Sequence, residues 1–331
     1  MISVSNKEIT LEKLTIQIEC NKVRQEPIIV ESVTWETARK GEPSKLVFTC
    51  IKDDKLSFSE GSPVRAWYGE QGFFSGFVFE KSRNKDHHIT VTCYDQLRYL
   101  QNKTTYRWKG LRADQIVQRI AKDFKLEVGE LANTKYKIPT FDKPNMSLFD
   151  MILDAFDETV LNTGKLFYLY DDFGKLTVKE INESKLDVLF DQDTAEDFDY
   201  VTSIDKETYN RIVITEESSN SGKGVYVHRD DEENIKKWGV LQYFEDNYKG
   251  INAKVKADAL MKLYNRVKRS LTIKRQFGDI NVRGGTSVYL DLNLGDMIAQ
   301  KLMLVEKVTH TFKDGEHYMD VSLQGCEEFY D

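Results

Sequence analysis

Five histidines, four cysteines and 54 acidic side chains are the groups that could bind a metal or move a proton in this chain. His87 and His88 are adjacent, so on a strand they point to opposite sides and cannot share one ion. His228, His310 and His317 stand apart in sequence and read as surface or strand residues. Asp191, Asp193, Glu196, Asp197 and Asp199 have the look of a calcium loop, but Ala195 and Glu196 stand where a ligand and the turn glycine belong. That stretch reads as a solvated acidic connector. Gly222-Lys223-Gly224 lacks the first glycine and the hydroxyl residue of a phosphate loop, and Arg283-Gly284-Gly285-Thr286 reads as a glycine turn between strands. There is no nucleophile elbow and no H-E-x-x-H pair. Many carboxylate pairs can be drawn, and the spacing selects none at the separation that glycoside hydrolysis requires. No catalytic, cofactor-binding or metal-binding residue is assigned, and no cofactor. Phe73-Phe74 could form a sugar platform or a partner contact; their alternation into Phe77 and Phe79 favours strand core.

The elements that would position such groups change along the chain. Up to about residue 105, short apolar alternations are separated by Gly/Pro turns, as in Leu46-Phe48-Cys50, Val64–Tyr68, Phe73–Phe79 and Ile89–Tyr94. This predicts a small antiparallel barrel or sandwich. Between about 106 and 200 the period becomes helical. Ala113, Val117, Ile120 and Phe124 share one face, and a second helix follows Ser147 as N-cap with Asp150 three residues on, burying Phe149, Ile152, Leu153 and Phe156. Leu166–Tyr170, the turn 171–174 and Leu176–Val178 make a hairpin. Strands return at Arg211–Thr215, Gly224–His228, Ser287–Leu292, Lys301–Val308 and Tyr318–Leu323, with a flexible loop at Ser218–Gly222. One amphipathic helix is expected over about 252–271, its stripe formed by Ala257, Leu260, Tyr264, Val267 and Leu271.

Composition narrows the function. The chain has 331 residues, enough for two or three domains, and a formal net charge of −7. An acidic chain lacks the basic footprint of specific nucleic-acid binding. The longest apolar run, Leu166–Tyr170, is far short of the ~20 residues that cross a bilayer, so no membrane insertion is expected. Residues 1–8 contain no apolar export core, and Cys20, Cys50, Cys93 and Cys326 have no paired spacing. The expected place of synthesis is the cytoplasm. Charge is also segregated. Residues 254–275 hold eight Lys/Arg against Asp258 alone, and 187–207 hold eight acids against Lys206 alone. Each block would repel itself, so the two are expected to meet, within a subunit or between subunits, and Lys262, Arg266 and Arg269 are the expected contributors.

Several stretches together resemble one family. They are Val33-Thr34-Trp35 with Arg39-Lys40-Gly41 and Lys45–Phe48, Glu60–Val64 with Phe74-Ser75-Gly76-Phe77-Val78, and Thr90–Leu100. Ile116–Phe124, Phe173–Leu176 and Gly278-Asp279-Ile280 with Val282–Gly285 continue the pattern. In order and spacing they resemble the XkdQ/YqbQ-type tail proteins of PBSX-like prophages and R-type bacteriocin clusters (diffocin-like), over nearly the whole chain from about residue 28. The family is similar in architecture to the contractile-phage baseplate hub and to the hub part of type VI secretion spikes. The resemblance implies an α+β, mainly β chain. Two antiparallel, tail-tube-like β-barrel domains, 1–105 and 201–331, would flank an inserted α+β domain, 106–200. It implies a non-enzymatic structural hub in the baseplate of a virion tail or phage-tail-like particle, a homotrimer whose six barrels ring the end of the tail tube above the spike. Implied partners are further copies of the chain, the tail tube protein, the spike protein, the tape-measure protein, a LysM-type tail protein and baseplate wedge proteins. The alternatives from other classes are a tail-associated peptidoglycan hydrolase and a cell-wall polysaccharide binding module using Phe73 and Phe74.

Overall fold

Leu46, Phe48 and Cys50 alternate with more exposed neighbours, and a pleated strand turns that period of two into one buried face. The same rule builds most of the molecule, for which a computed structural model describes residues 13–51, 56–192, 194–205, 207–216, 225–248, 253–295 and 298–325. The first strands are β1 (Leu14–Cys20), β2 (Val23–Gln25), β3 (Val33–Ala38), β4 (Lys45–Ile51), β5 (Pro63–Tyr68), β6 (Gln71–Arg83) and β7 (His88–Tyr94). After a 3-10 turn at Gln96–Gln101 come β8 (Lys103–Trp108), α1 (Ala113–Phe124), β9 (Val128–Leu131), β10 (Phe141–Ser147) and α2 (Leu148–Thr163). The chain continues through β11 (Phe167–Asp171), β12 (Leu176–Glu180), β13 (Lys185–Asp191), β14 (Asp197–Ser203), β15 (Arg211–Glu216) and β16 (Val225–Asp230). It ends with α3 (Glu232–Trp238), β17 (Gln242–Tyr248), α4 (Ala253–Tyr264), β18 (Lys268–Phe277), β19 (Ser287–Asn293), β20 (Ile298–Lys313) and β21 (Glu316–Gly325).

Contacts divide the chain into two units. The larger holds residues up to Phe198 and from Thr272 onward; the smaller is Asp199–Leu271. In the larger unit one sheet runs in the order β18-β21-β20-β3-β4-β7-β6-β5-β1-β2, with β19 paired to β20 and β13 lying parallel to β19. Its N-terminal strands close over a core of Ile18, Trp35, Leu46, Phe48, Val64, Phe74 and Val91. Each such fully buried Leu or Phe contributes about 1.5–3 kcal/mol.

This differs from two separate barrels. β3 pairs with β20, joining residues 33–38 to 307–312 in one ladder, and the strand order keeps free ends, so no sheet among the described residues closes on itself. At the end of that ladder Glu306 is the extra residue of a β-bulge in β20, and the bulge turns its carboxylate onto Arg39. Arg39 Nε donates to both carboxylate oxygens at 3.0 Å and Nη2 to Oε1 at 2.7 Å, while the Arg39 amide donates to the Glu306 carbonyl.

Within the same unit a second core spans Leu97 to Val178. α1 and α2 pack Ile116, Ile120, Met151, Ile152 and Phe156 against Phe167, Leu169, Leu176 and Val178. Ser147 caps α2 as its spacing predicts: its Oγ accepts the Asp150 amide and donates to the Asp150 carboxylate. Gly164 ends α2 in the left-handed conformation that lacks a Cβ penalty. β8 and β10 pair as a separate ribbon that the sequence reading did not identify.

The smaller unit is an α/β module rather than part of a barrel. β15 lies between antiparallel β16 and parallel β17, and α4 covers Ile212, Ile214 and Val227 with Ala257 and Leu260. α4 stops at Tyr264, seven residues before the expected end. The Asn265 side chain accepts from Asn234 and donates to Asp231 at the start of α3, so the chain is held out of helical register there. Leu271 and Ile273 then alternate with exposed residues on β18, a strand pattern that the helical stripe had absorbed. The expected Ser218–Gly222 loop, Gly222-Lys223-Gly224, Asp193, Lys206 and Cys326 lie outside the described residues.

The Arg39–Glu306 clamp can be tested directly. Arg39→Met leaves a largely buried carboxylate without its cation and should cost about 2–4 kcal/mol of unfolding free energy. The Arg39→Met/Glu306→Gln double variant should recover part of it. Urea unfolding of the two single variants and the double variant measures the coupling; additive losses would show that the contact contributes nothing to the seam.

Candidate functional site

The seam between β3 and β20 is where residues far apart in sequence converge. Trp35 lies in its middle, 1% exposed, with its indole N–H donated to Ser44 Oγ at 2.7 Å. His310 stacks on it at 4.7 Å between ring centroids, and Phe73 tilts against its other side at 4.9 Å. His317 reaches His310 across the β20–β21 hairpin, with Nε2 of one ring 2.9 Å from Nδ1 of the other. His310 Nε2 lies 2.8 Å from the Val282 carbonyl, which can only accept, so His310 carries its proton on Nε2. Its Nδ1 is therefore an acceptor for the Nε2–H of His317, and His317 Nδ1 is left bare, buried and without a partner. Both rings are neutral. Burial above all holds His310 down at about 3, helped by the neighbouring ring, and burial holds His317 at about 4 against the pull of Asp279.

Three glycines let the backbone reach this cluster. A Cβ on Gly278 would sit 2.2 Å from the His317 ring, one on Gly284 would sit 2.3 Å from the Ala38 carbonyl carbon, and one on Gly285 would meet Tyr168 at 2.2 Å. The turn therefore needs Gly284 and Gly285, and it carries Arg283 into place. Arg283 lies over the Tyr170 ring at 4.3 Å and donates from Nη2 to the Asp171 carbonyl at 2.9 Å. Two buried carboxyls lie beside it. Asp95 accepts the amides of Ser44 and Leu97; burial first, then Asp171, holds its carboxyl well above the usual range. Burial pushes Asp171 up to about 6, although it accepts the Gly174 amide and has Arg283 close by.

Above these groups opens a cleft of about 240 Å³, with Trp35, Tyr168 and Tyr170 in its floor and Lys179, Glu183 and Arg283 among its walls. Trp35, Tyr168 and Tyr170 are 1%, 3% and 7% exposed, so these three rings offer no open face to a sugar. Phe73 and Phe74 are likewise 6% and 2% exposed, which removes the carbohydrate-platform reading and makes both residues strand core.

Of the histidines singled out from sequence, the structure brings together only His310 and His317. Among the described residues no three His, Cys, Asp or Glu side chains are grouped to hold a metal. The β20–β21 turn at Asp314-Gly315 is the sequence signal that could have revealed the pair, since a hairpin there sets Phe312 opposite His317 and His310 opposite Met319. Cys50 and Cys93 are buried free thiols and Cys20 is half-buried. The acidic stretch is structured at both ends. Asp191 holds a turn through Thr194, and β14 starts at Asp197. The charged blocks do meet within the chain, through Arg275–Glu196 at 2.7 Å, Lys274–Asp197 at 3.9 Å and Lys268–Glu207 at 3.3 Å. All three of these pairs come from cations of β18; Lys262, Arg266 and Arg269 were the expected contributors.

The larger unit is thus a mainly antiparallel open sheet carrying an α+β layer, with a buried polar seam where β3 meets β20. The fold is shared, at 12% identity and a TM-score of 0.70, with the prophage MuSo2 43 kDa tail protein of Shewanella oneidensis, covering 95% of this chain and 99% of that one. A component of the Escherichia coli type VI secretion system, described as structurally similar to bacteriophage T4 tail proteins gp27 and gp5, matches at 11% identity and a TM-score of 0.56, covering 96% and 78%. Residues 33–324 match the YqbQ-like family, and the chain belongs to it. It is 32% identical over 308 residues to the uncharacterized protein YqbQ of Bacillus subtilis strain 168, and 30% identical over 307 residues to the phage-like element PBSX protein XkdQ of the same organism. Each match covers 89% of this chain and 92% of the relative.

The histidine pair makes a signed prediction. Both folded values lie below the ordinary 6.5, so the stability they contribute is complete above about pH 6.5 and falls as the unfolded chain takes up protons below it. His317→Gln keeps a donor for His310 and removes one of those protons. Between pH 6.5 and 4.5 its unfolding free energy should gain on the wild type by about 1.4 kcal/mol per pH unit. Urea unfolding at four pH values measures the difference, and a pH-independent difference would contradict the assignment of neutral rings.

Proposed function

We propose that this chain is a structural, non-enzymatic baseplate hub of a contractile phage tail or phage-tail-like particle. Three copies would form a pseudo-six-fold ring that joins the tail tube to the central spike. Each chain would present its two β-rich halves, about 1–105 and 201–331, as quasi-equivalent lobes around a pore. The observation that carries this reading is an open sheet with apolar side chains standing in water on both halves. Ile28 and Ile51 are 58% and 37% exposed in the first half; Tyr289 and Ile298 are 47% and 66% exposed in the second, and Leu189 on β13, between the halves in sequence, is 51% exposed. Leu189 and Tyr289 are register partners on β13 and β19, so they form one patch. A heterologous contact between the first half of one copy and the second half of the next would cover both patches, and it closes into a ring if the rotation is right. The membership of the chain in the YqbQ-like family and its fold likeness to tail proteins support the same assembly.

The partners that follow are the tail tube protein above, the spike protein below, the tape-measure protein in the channel, and a LysM-type tail protein and wedge proteins outside. Synthesis would take place in the bacterial cytoplasm. The pore wall should be neutral to acidic, because a basic wall would retain passing DNA or an acidic tape measure. Electron microscopy of the hub layer in an assembled particle decides. Three copies, each giving two lobes, with Ile28, Ile51, Tyr289 and Ile298 covered, is the expected result. Six copies, one lobe per copy, or a lumen lined by Lys and Arg would refute it. Ile51→Glu and Tyr289→Glu should each yield folded protein that is left out of particles.

A further inference from the structure

We propose that the Asp171–Gly174 turn is a pH-sensitive latch: it docks the β11–β12 hairpin most firmly on the large sheet when the Asp171 carboxyl carries a proton, and loosens when that proton leaves. The turn seats the tip of the hairpin, while Tyr168 and Tyr170 pack its base against Leu304. Phe173, held at a left-handed φ of 48°, puts its ring where a side chain at residue 72 would be; a Cβ on Gly72 would meet it at 2.5 Å. Its edge lies against Trp67 at 5.5 Å, so the turn plugs into the β5–β6 hairpin. What fixes the turn is Asp171, whose Oδ1 accepts the Gly174 amide.

The other oxygen, Oδ2, is buried and receives no hydrogen bond, and Arg283 Nε is likewise buried and gives none. Arg283 spends Nη2 on the Asp171 carbonyl and the Gln96 amide donates to the Glu127 carbonyl, so no donor is seated on Oδ2, although Gln96 lies close enough to favour the charged form. The titratable and charged groups acting on the pair of carboxyls are Asp95, from the chain before the 3-10 turn, Asp172 in the latch itself, and Arg283 from the glycine turn. An ionised Asp171 and Asp172 set two anions against one cation. A protonated Oδ2 removes one of those charges and supplies a donor. Ionisation costs the docked state more than the undocked one, where water reaches the carboxyl.

The sign follows from a folded value near 6 against the ordinary 3.8. The latch is tightest below about pH 4, loosens through pH 6, and stays at its weaker level above it. Amide hydrogen exchange of the full chain, corrected for intrinsic rate, reads this at Gly174, Lys175 and Leu176. Their opening equilibrium should rise about a hundredfold from pH 4 to pH 7, at tenfold per unit of separation. Asp171→Asn keeps an acceptor for Gly174 and should make that equilibrium independent of pH. Asp95→Asn should leave the change in place, because Asp95, held above Asp171 by burial and by the Asp171 charge itself, is still neutral while Asp171 ionises. A flat wild-type profile, an unchanged profile in Asp171→Asn, a profile lost in Asp95→Asn, or an equal change in the β20–β21 amides, which marks global unfolding, would each overturn the proposal.

Discussion

Six residues of β3 lying against six of β20 hold the larger unit together, and almost everything else in it depends on that pairing. The two strands are separated by most of the chain, yet loop-closure entropy grows only with the logarithm of loop length, so the distance itself costs little. What must be specified is register. A slip by one residue would turn Trp35 and His310 out to solvent and bring Thr34 and Thr311 in. The bulge at Glu306 and its bidentate contact with Arg39 fix one end of the ladder, and the Trp35–His310 stack fixes its middle. β20 can serve as this spine because it is 16 residues long, pairing with β19 over its first half and with β21 and β3, one on each edge, over its second.

The sequence disclosed what is local. Period-two runs such as Leu46-Phe48-Cys50 became strands, the helical spacing of Ala113 to Phe124 became α1, and the Ser147 cap with Asp150 opened α2. Partner choice was not legible, because β3 offers the same alternation to any neighbour and only the assembled core selects β20. That is why two β-rich halves were expected as two barrels. The overlong helix at 252–271 failed for a related reason. Val267 and Leu271 happen to continue a 3-4 spacing, while Leu271-Thr272-Ile273 also carries a period of two, and the side-chain bonds of Asn265 decide between them. β8 alternates, with Thr104, Tyr106 and Trp108 on its more buried face, but its partner β10 carries Pro144 and a register shift between Lys143 and Met146, so nothing in β10 announced the pairing.

Charge segregation was legible as a tendency and not as a set of contacts. The pairs made by Arg275, Lys274 and Lys268 are largely exposed, and such pairs are worth only about 0–1 kcal/mol each. Their consequence lies in orientation: an acidic segment 187–207 has one favourable strand to lie along, and β18 carries the matching cations. The histidines show the opposite case. Two residues seven apart, with nothing between them to suggest a site, become neighbours because an Asp-Gly turn folds the hairpin between them.

The seam gathers polar groups that an apolar core of the same shape would hold at lower cost. Asp95, Asp171 and His310 are all deeply buried, and replacing buried ionic groups with hydrophobic ones is often stabilising. Their value here lies in uniqueness of structure. An open sheet with exposed Ile28, Ile51, Tyr289 and Ile298 offers many ways to slide or pair wrongly, since apolar contact has little directional preference. Hydrogen bonds through Ser44, Thr37, Val282 and Glu306 are satisfied in one register only. A slipped ladder would leave each of those partners buried and unpaired, at about 1–3 kcal/mol apiece. The polar seam thus narrows the alternatives available to an open sheet whose apolar patches stay in solvent.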